Sequence, residues 1–275
     1  MYRILFRTCD RIASLHNTPR PFGLDKHSVI KLCFRSLVHS LEGFPHSIHV
    51  VADNLSDEMT AFFREYPVPT SALAAGEWLT MIEGTFGNDE SIRVSLRQAM
   101  SYDDNDWVYL CEDDYLHHPQ TFLWIDDLIQ NRNEVLRTKS LRGLRRFIPF
   151  DHRRELHTIP LFIHPPDYPD RYKPRERRRS YLFLSRYCHW RQITNTTFTF
   201  LAEAQSMRKY QSVLTRASAG ADDGYLSRKI YARDHFWGRA LCVSPIPGLT
   251  THMHEGVMTP QVDWAGIIRA LQGGS

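Results

Sequence analysis

The 275-residue chain carries 34 Lys and Arg against 31 Asp and Glu, a formal net charge of +3, so bulk charge selects neither a nucleic acid nor a membrane as partner. Hydrophobic residues make up 42% and charged residues 24%, values of a folded globular protein rather than a disordered one. No apolar run approaches the roughly 18 residues needed to span a bilayer.

Five cysteines (Cys9, Cys33, Cys111, Cys188, Cys242) are scattered, odd in number and without metal-ligand spacing. They predict reduced, mostly buried thiols and a cytoplasmic protein. The start, Met1 to Arg7, is too short and too charged to act as a signal peptide. Gly273-Gly274-Ser275 reads as a tail.

Strand and helix signals alternate through the first half. Tyr2 to Arg7 predicts a strand. His27 to Leu41 predicts a helix with Ile30, Cys33 or Phe34, Leu37, Val38 and Leu41 on one face. Ser47 to Ala52 is a second strand. Ser56 caps a helix whose first turn holds Asp57 and Glu58, which suit the positive end of the helix dipole. Asn88-Asp89 opens a helix with Ile92, Leu96 and Met100 at helical spacing, and Trp107 to Cys111 is a third strand. Pro119 precedes a helix over Thr121 to Gln130. The order β-α-β-α-α-β predicts an α/β fold with a mainly parallel sheet flanked by helices.

The second half is less regular. Residues 137–180 are basic and rich in proline (Arg137, Lys139, Arg142, Arg145, Arg146; Pro165, Pro166, Pro169, Pro174; Arg175 to Arg179) and read as a long loop or insertion. Strands are expected at Tyr181 to Ser185 and Thr196 to Phe200, helices at Ala202 to Arg216 and Asp222 to Ala232, and a last short strand at Ala240 to Ser244. No internal repeat or linker divides the chain. One domain is expected over 1–275, with a nucleotide-binding half at 1–132 and an acceptor-side half at 133–260.

The stretch Trp107-Val108-Tyr109-Leu110-Cys111-Glu112-Asp113-Asp114 is the most informative. An apolar strand runs straight into three carboxylates. Unpaired carboxylates there repel one another and are costly to desolvate, and a divalent cation removes that cost. Hard oxygen ligands suit Mg²⁺ or Mn²⁺, and a metal at the carboxyl end of a strand suits a diphosphate. Strand alternation puts Glu112 and Asp114 on one face and Asp113 on the other. Asp114 is therefore the expected direct ligand, with Glu112 acting through water or on a ribose.

Four motifs, in order, resemble a GT-A glycosyltransferase of the family 2-like kind. Ile4 to Arg11 resembles the first strand and its loop, and the resemblance implies nucleotide contacts from Thr8, Asp10 and Arg11. Val50 to Asp57 resembles the second strand, with Asp53 facing the base. Glu112-Asp113-Asp114 resembles the Asp-x-Asp motif that holds metal and diphosphate, with glutamate in the first position. Asp222-Asp223 resembles the acidic pair opening a helix where inverting enzymes keep the catalytic base; Asp223 is the first candidate and Asp222 the second. Thr251-His252-Met253-His254 lies where such enzymes supply a histidine to the metal, so the implied ligands are Asp114, Glu112, His252 and His254.

The resemblance implies a metal-dependent (Mn²⁺ or Mg²⁺) transfer of sugar from a UDP- or GDP-linked donor to a glycan or other hydroxyl acceptor, in glycan or surface polysaccharide synthesis. His189 to Phe198 mixes aromatic, amide and hydroxyl groups that suit an acceptor sugar. Residues 171–191 hold eight Lys or Arg and one acidic residue among interleaved aromatics, which suits an anionic glycan or an acidic membrane at the inner face. Two alternatives stand beside this one. A sugar-phosphate nucleotidyltransferase needs a glycine-rich loop after the first strand, where this chain has Thr8-Cys9-Asp10-Arg11-Ile12. A nucleic-acid-binding module using 171–191 leaves both acidic motifs without a purpose, and no nucleic acid is expected.

Overall fold

The structure, a computed structural model, describes residues 1–11, 19–70, 78–137, 156–173, 180–231 and 240–273. Its first half alternates strand and helix: β1 (Tyr2–Thr8), α1 (Lys26–Ser40), β2 (His46–Asp53), α2 (Asp57–Arg64), β3 (Leu79–Gly84), α3 (Gly87–Ala99) and β4 (Trp107–Glu112). After it come β5 (Tyr115–His117), α4 (Thr121–Gln130), the single turn α5 (Arg132–Val135), β6 (Leu161–Ile163), β7 (Leu182–Leu184), β8 (His189–Ile193) and β9 (Phe200–Glu203). The chain closes with α6 (Ala204–Lys209), α7 (Gln211–Ala217), α8 (Asp223–Leu226), β10 (Leu241–Ile246), β11 (Thr250–His252) and α9 (Trp264–Gly273).

Nine strands form one sheet in the order β3-β2-β1-β4-β9-β6-β10-β8-β7. All but β9 and β8 point the same way, since β9 is antiparallel to β4 and β6, and β8 to β10 and β7. The sheet is thus mainly parallel and flanked by helices, as expected. Burial explains the apolar strands. Ile4, Phe6, Tyr109 and Cys111 pack with Phe34, Phe63 and Phe122 from α1, α2 and α4. Leu5, Val108 and Leu110 pack on the other face with Ile92, Leu96, Met207 and Leu214 from α3, α6 and α7. A strand buried on both faces reads as a continuous apolar run. β5 and β11 pair with each other outside that sheet, over a third apolar cluster that joins Val29, Leu32 and Cys33 of α1 to Leu116, Met253, Trp264 and Ile268.

Several sequence expectations are corrected. β3 stands between α2 and α3, where no strand was expected, because it is a sheet edge with mixed exposure and so lacks an apolar run. The expected strand at Thr196 to Phe200 begins only at Phe200, and the expected helix from Ala202 begins at Ala204, because pairing with β4 and β6 holds Phe200–Glu203 extended. The expected helix from Asp222 is α8 followed by a π-helical turn at Ser227–Tyr231; Ala232 lies outside the described residues. The supposed loop at 137–180 contains β6, a wholly buried strand in the middle of the sheet. Its three apolar residues are hemmed in by prolines at 160, 165 and 166, which hid it. Lys139, Arg142, Arg145, Arg146, Pro174 and Arg175 to Arg179 lie outside the described residues. Ala240 to Ser244 is not the last strand, since β11 and α9 follow, and Gly273 closes α9. Among the described residues no helix is long and apolar enough to cross a membrane. All five cysteines are unpaired, and all but Cys9 are buried.

Phe34 is fully buried at the centre of the α1–α2–β1 contact, with ring partners Phe6, Phe62, Phe63 and Tyr66. Phe34→Ala is expected to cost about 3–5 kcal/mol. Urea unfolding followed by circular dichroism should show a lower midpoint with an unchanged slope.

Candidate active site

β1 is followed in sequence by β2 on one side, and β4 lies on its other side. The carboxyl ends of β1 and β4 therefore form a topological switch point, where open α/β sheets leave a crevice. A cavity of about 500 Å³ opens there, lined among others by Thr8, Asp53, the Glu112–Asp114 run, Asp223, His252 and His254. A larger groove of about 970 Å³ between α1, α2 and α9 shares none of these residues and gathers no comparable cluster of ligand groups.

Residues far apart in the chain converge in the cavity. β5 runs antiparallel to β11 with Tyr115 opposite His252. The Met253 N–H donates to the Asp114 carbonyl at 2.8 Å, continuing the pairing past the strand end. Nε2 of His252 and of His254 thereby lie 3.0 and 3.2 Å from Asp114 Oδ2. Among the described residues, this trio is the one group of three or more His, Cys, Asp or Glu ligand atoms within 4.8 Å of one another. The Tyr115 ring stacks on His252 at 4.9 Å with an interplanar angle of 2°, which fixes the imidazole. Burial alone would raise the Asp114 carboxyl, but the two histidines outweigh it and hold it well below the usual range. Burial alone would lower His252, and the Asp114 charge reverses that and raises it.

Glu112 and Asp113 are not part of this trio. Arg7 and the Thr199 hydroxyl both donate to Glu112, the latter at 3.1 Å. Asp113 accepts from Thr8 Oγ1 at 2.9 Å and from the Cys9 N–H at 3.1 Å. Its carboxyl is raised, first by burial and then by the Asp114 charge. Asp113 was expected to face away, yet it lines the same cavity. The chain leaves the strand at Glu112 and turns, so period-two alternation ends one residue too early to apply.

The nucleotide residues implied by resemblance divide. Thr8 lines the cavity and holds Asp113. Asp53 lines it too, but its Oδ1 accepts the Phe86 and Gly87 N–H groups at 2.6 and 3.1 Å and so holds the entrance to α3. Asp10 does not line the cavity. It accepts from the Ser56 N–H at 3.0 Å and from its hydroxyl, and pairs with His27 at 3.2 Å, tying the β1 loop to the start of α2. Arg11 is exposed and also outside the lining.

Asp222 caps α8 by accepting the Tyr225 N–H at 2.8 Å and lies outside the lining, whereas Asp223 lines the cavity. Burial, then the charges of Glu112 and Asp222, push the Asp223 carboxyl up to about 7. Of the expected acceptor stretch 189–198, Thr197 and Phe198 reach the cavity. Tyr115 and Thr197 share a hydroxyl hydrogen bond at 3.2 Å. Arg171 and Arg191 turn inward onto Asp167, so neither offers its charge to an outside phosphate.

Sequence reasoning missed three cations in the lining, Arg20, Lys26 and Arg7, the last of which reaches Asn88 Oδ1 at 2.8 Å. Lys26 had one readable signal. It occupies the first turn of α1, against the positive end of the helix dipole, a local conflict typical of functional positions. Arg20 had none, because no periodic or motif pattern in the sequence includes it.

No family model matches this chain, and no curated protein does. Solved structures align with the chain at low identity. The 1–349 portion of S. aureus TarS aligns with TM-score 0.45 and 11% identity over 98% of this chain and 64% of that one, so the chain spans less than two thirds of its length. Mannose-6-phosphate isomerase from Helicobacter pylori aligns with TM-score 0.39 and 9% identity over 89% of this chain and 85% of that one. The 4-diphosphocytidyl-2C-methyl-D-erythritol synthase from Anaerococcus prevotii aligns with TM-score 0.38 and 10% identity over 99% of this chain and 97% of that one.

Proposed function

We propose that this chain is a metal-dependent glycosyltransferase of the GT-A kind. It moves a sugar from a UDP- or GDP-linked donor to a hydroxyl of a glycan or similar acceptor, with inversion. The observation that carries the reading is the pairing of two chemically distinct ends in one cavity: the Asp114–His252–His254 trio, and the separate, raised carboxyl of Asp223.

The trio fits a divalent cation. Adjacent donors about 2.1 Å from an octahedral ion stand about 3 Å apart, and the two histidine nitrogens lie 3.0 and 3.2 Å from the Asp114 oxygen. A cation held there supplies Lewis-acid stabilisation of a diphosphate leaving group. Arg20 and Lys26 line the same cavity and give the diphosphate two further positive charges. Thr8 and the Cys9 amide keep Asp113 in place beside it.

Asp223 removes the acceptor proton. As the acceptor oxygen bonds to the anomeric carbon, the bond from that carbon to the diphosphate oxygen breaks. The electron pair leaves with the nucleoside diphosphate, and the proton ends on the Asp223 carboxylate. A base poised near neutral pH does this efficiently, and burial beside Glu112 is what poises it. Thr197 and Phe198 offer the acceptor a hydroxyl and an apolar face. An anionic glycan or an acidic inner membrane surface is the further partner proposed for the basic sequence 171–191, and with it a cytoplasmic setting.

Nucleotidyl transfer is less well served. It needs amides for a triphosphate, and the loop after β1 has no glycine until Gly23.

Three outcomes test the reading. Asp223→Asn should keep nucleotide binding and lose turnover by about 10²–10⁴-fold. In the wild type, kcat/KM should rise with pH through about 7 and then level, because only the deprotonated carboxylate accepts a proton. Wild-type turnover in the Asn variant, or a flat profile across that range, overturns the assignment of the base. Asp114→Ala should abolish the metal-dependent thermal stabilisation by UDP or GDP while leaving the circular dichroism spectrum unchanged. A nucleotide shift that survives both the substitution and EDTA would remove the metal from donor binding.

A further inference from the structure

The two edges of the nine-stranded sheet are built differently. At one edge, β3 exposes Thr80 and Glu83, and Glu83 pairs with Arg64 at 2.8 Å. Polar and charged side chains keep an edge strand from pairing with another chain. At the other edge, β7 consists of Leu182, Phe183 and Leu184. Phe183 packs into the core. Leu182 and Leu184, 62% and 69% exposed, are the most exposed large apolar side chains among the described residues. Arg191, opposite Leu182, turns onto Asp167 and leaves that edge unguarded.

The main chain of β7 is open as well. The Ser185 N–H donates to the Cys188 carbonyl at 3.1 Å, and the Gln192 N–H donates to the Tyr181 carbonyl at 2.8 Å. Ser185 and Tyr181 therefore turn their main-chain groups toward the other arm of the hairpin. Hydrogen-bonded and non-bonded pairs alternate along an antiparallel ladder. Leu182 and Leu184 stand in the alternate positions, so their N–H and C=O groups point away from β8.

We propose that β7 pairs antiparallel with β7 of a second copy of this chain, about a two-fold axis at Phe183, giving a homodimer whose sheet runs through both copies. That register sets Leu182 against the partner's Leu184, and Leu184 against the partner's Leu182. Both pairs are of the hydrogen-bonded kind, so the outward main-chain groups of both strands are satisfied together. Leucine meets leucine on one face of the joined ladder and leaves water. A shift of one residue would set inward groups against outward ones, and a shift of two would pair only one leucine of each copy.

An acidic membrane suits the basic residues of 171–191 but not this edge. Unpaired N–H and C=O groups are costly in hydrocarbon, and the two exposed leucines are the residues that carry them. The eight Lys and Arg of 171–191, against one acidic residue, repel their counterparts in a second copy. The ladder and the leucines therefore hold the dimer against charge. This inference does not rest on the proposed transfer reaction.

The test is sedimentation equilibrium of the full chain over a range of concentrations, at low and high salt. A reversible dimer is expected, and it should tighten as salt screens the like charges. Leu184→Lys, which sets a charge beside the partner's Leu182, should weaken it at least about tenfold. Amide hydrogen exchange of the wild type needs no variant to fold. The Leu182 and Leu184 amides should exchange slowly in concentrated protein and fast on dilution. A monomer at every concentration, a dimer indifferent to Leu184→Lys, or a dimer that high salt dissociates overturns the proposal. Protection of the two amides by phosphatidylserine vesicles but not by protein concentration also overturns it and gives the edge to a membrane.

Discussion

The short antiparallel pairing of β5 with β11 is the constraint on which the candidate site depends. It involves three residues on each strand, yet it joins positions about half a chain apart. Its register sets Tyr115 against His252, and so sets Asp114 against His252 and His254. A slip of one residue would turn the histidine to the other face and dissolve the trio. Such a short ladder needs support from outside. Thr121 donates to the Leu249 carbonyl at 2.8 Å, Ser36 accepts the His117 N–H at 3.0 Å, and Thr259 donates to the Thr250 carbonyl at 2.7 Å. Beneath it, Leu116 and Met253 pack with Val29 and Leu32 of α1 and with Trp264 of α9. Helix α9, which lines no part of the cavity, therefore stabilises the ligand turn.

Four of the five carboxylates that line the cavity, all but Asp53, show how one site tells like groups apart. Each has a different neighbour, and the neighbour decides its state. Glu112 is neutralised by Arg7, Asp113 by hydrogen bonds from Thr8 and Cys9, and Asp114 by two histidines. For Asp223 burial dominates, with the charges of Glu112 and Asp222 adding to it, and its carboxyl rises. Environments that push like groups apart in pKa are how one site separates an anchoring carboxylate from a proton-accepting one.

Much of the fold was legible where local physics and tertiary context agree. β1, α1, β2 and β4 match their expected spans to within a residue or two, and α4 matches at both ends, because each carries a periodic or continuous apolar signal that burial rewards. Ser56 does cap α2, accepting the Met59 N–H. The failures have a common cause. β3, β6 and β11 are short or mixed in exposure, and each is a strand only because a neighbouring strand supplies hydrogen bonds. Nothing within three apolar residues distinguishes β6 from a loop.

The sequence by itself determined the alternating α/β order, the strand that runs into Glu112-Asp113-Asp114, and the acidic pair that opens α8. Those follow from hydrophobic periodicity and from the cost of placing charge beside a buried strand, both local properties. Only the tertiary structure decided which carboxylate meets which partner: Asp114 the histidines, Glu112 Arg7, Asp53 the start of α3, Asp10 the start of α2. It also decided that Asp113 faces inward and that Arg20 and Lys26 join the cavity. Contacts between residues distant in sequence depend on strand register and on turn direction at the ends of elements, and neither is encoded in the composition of any one segment.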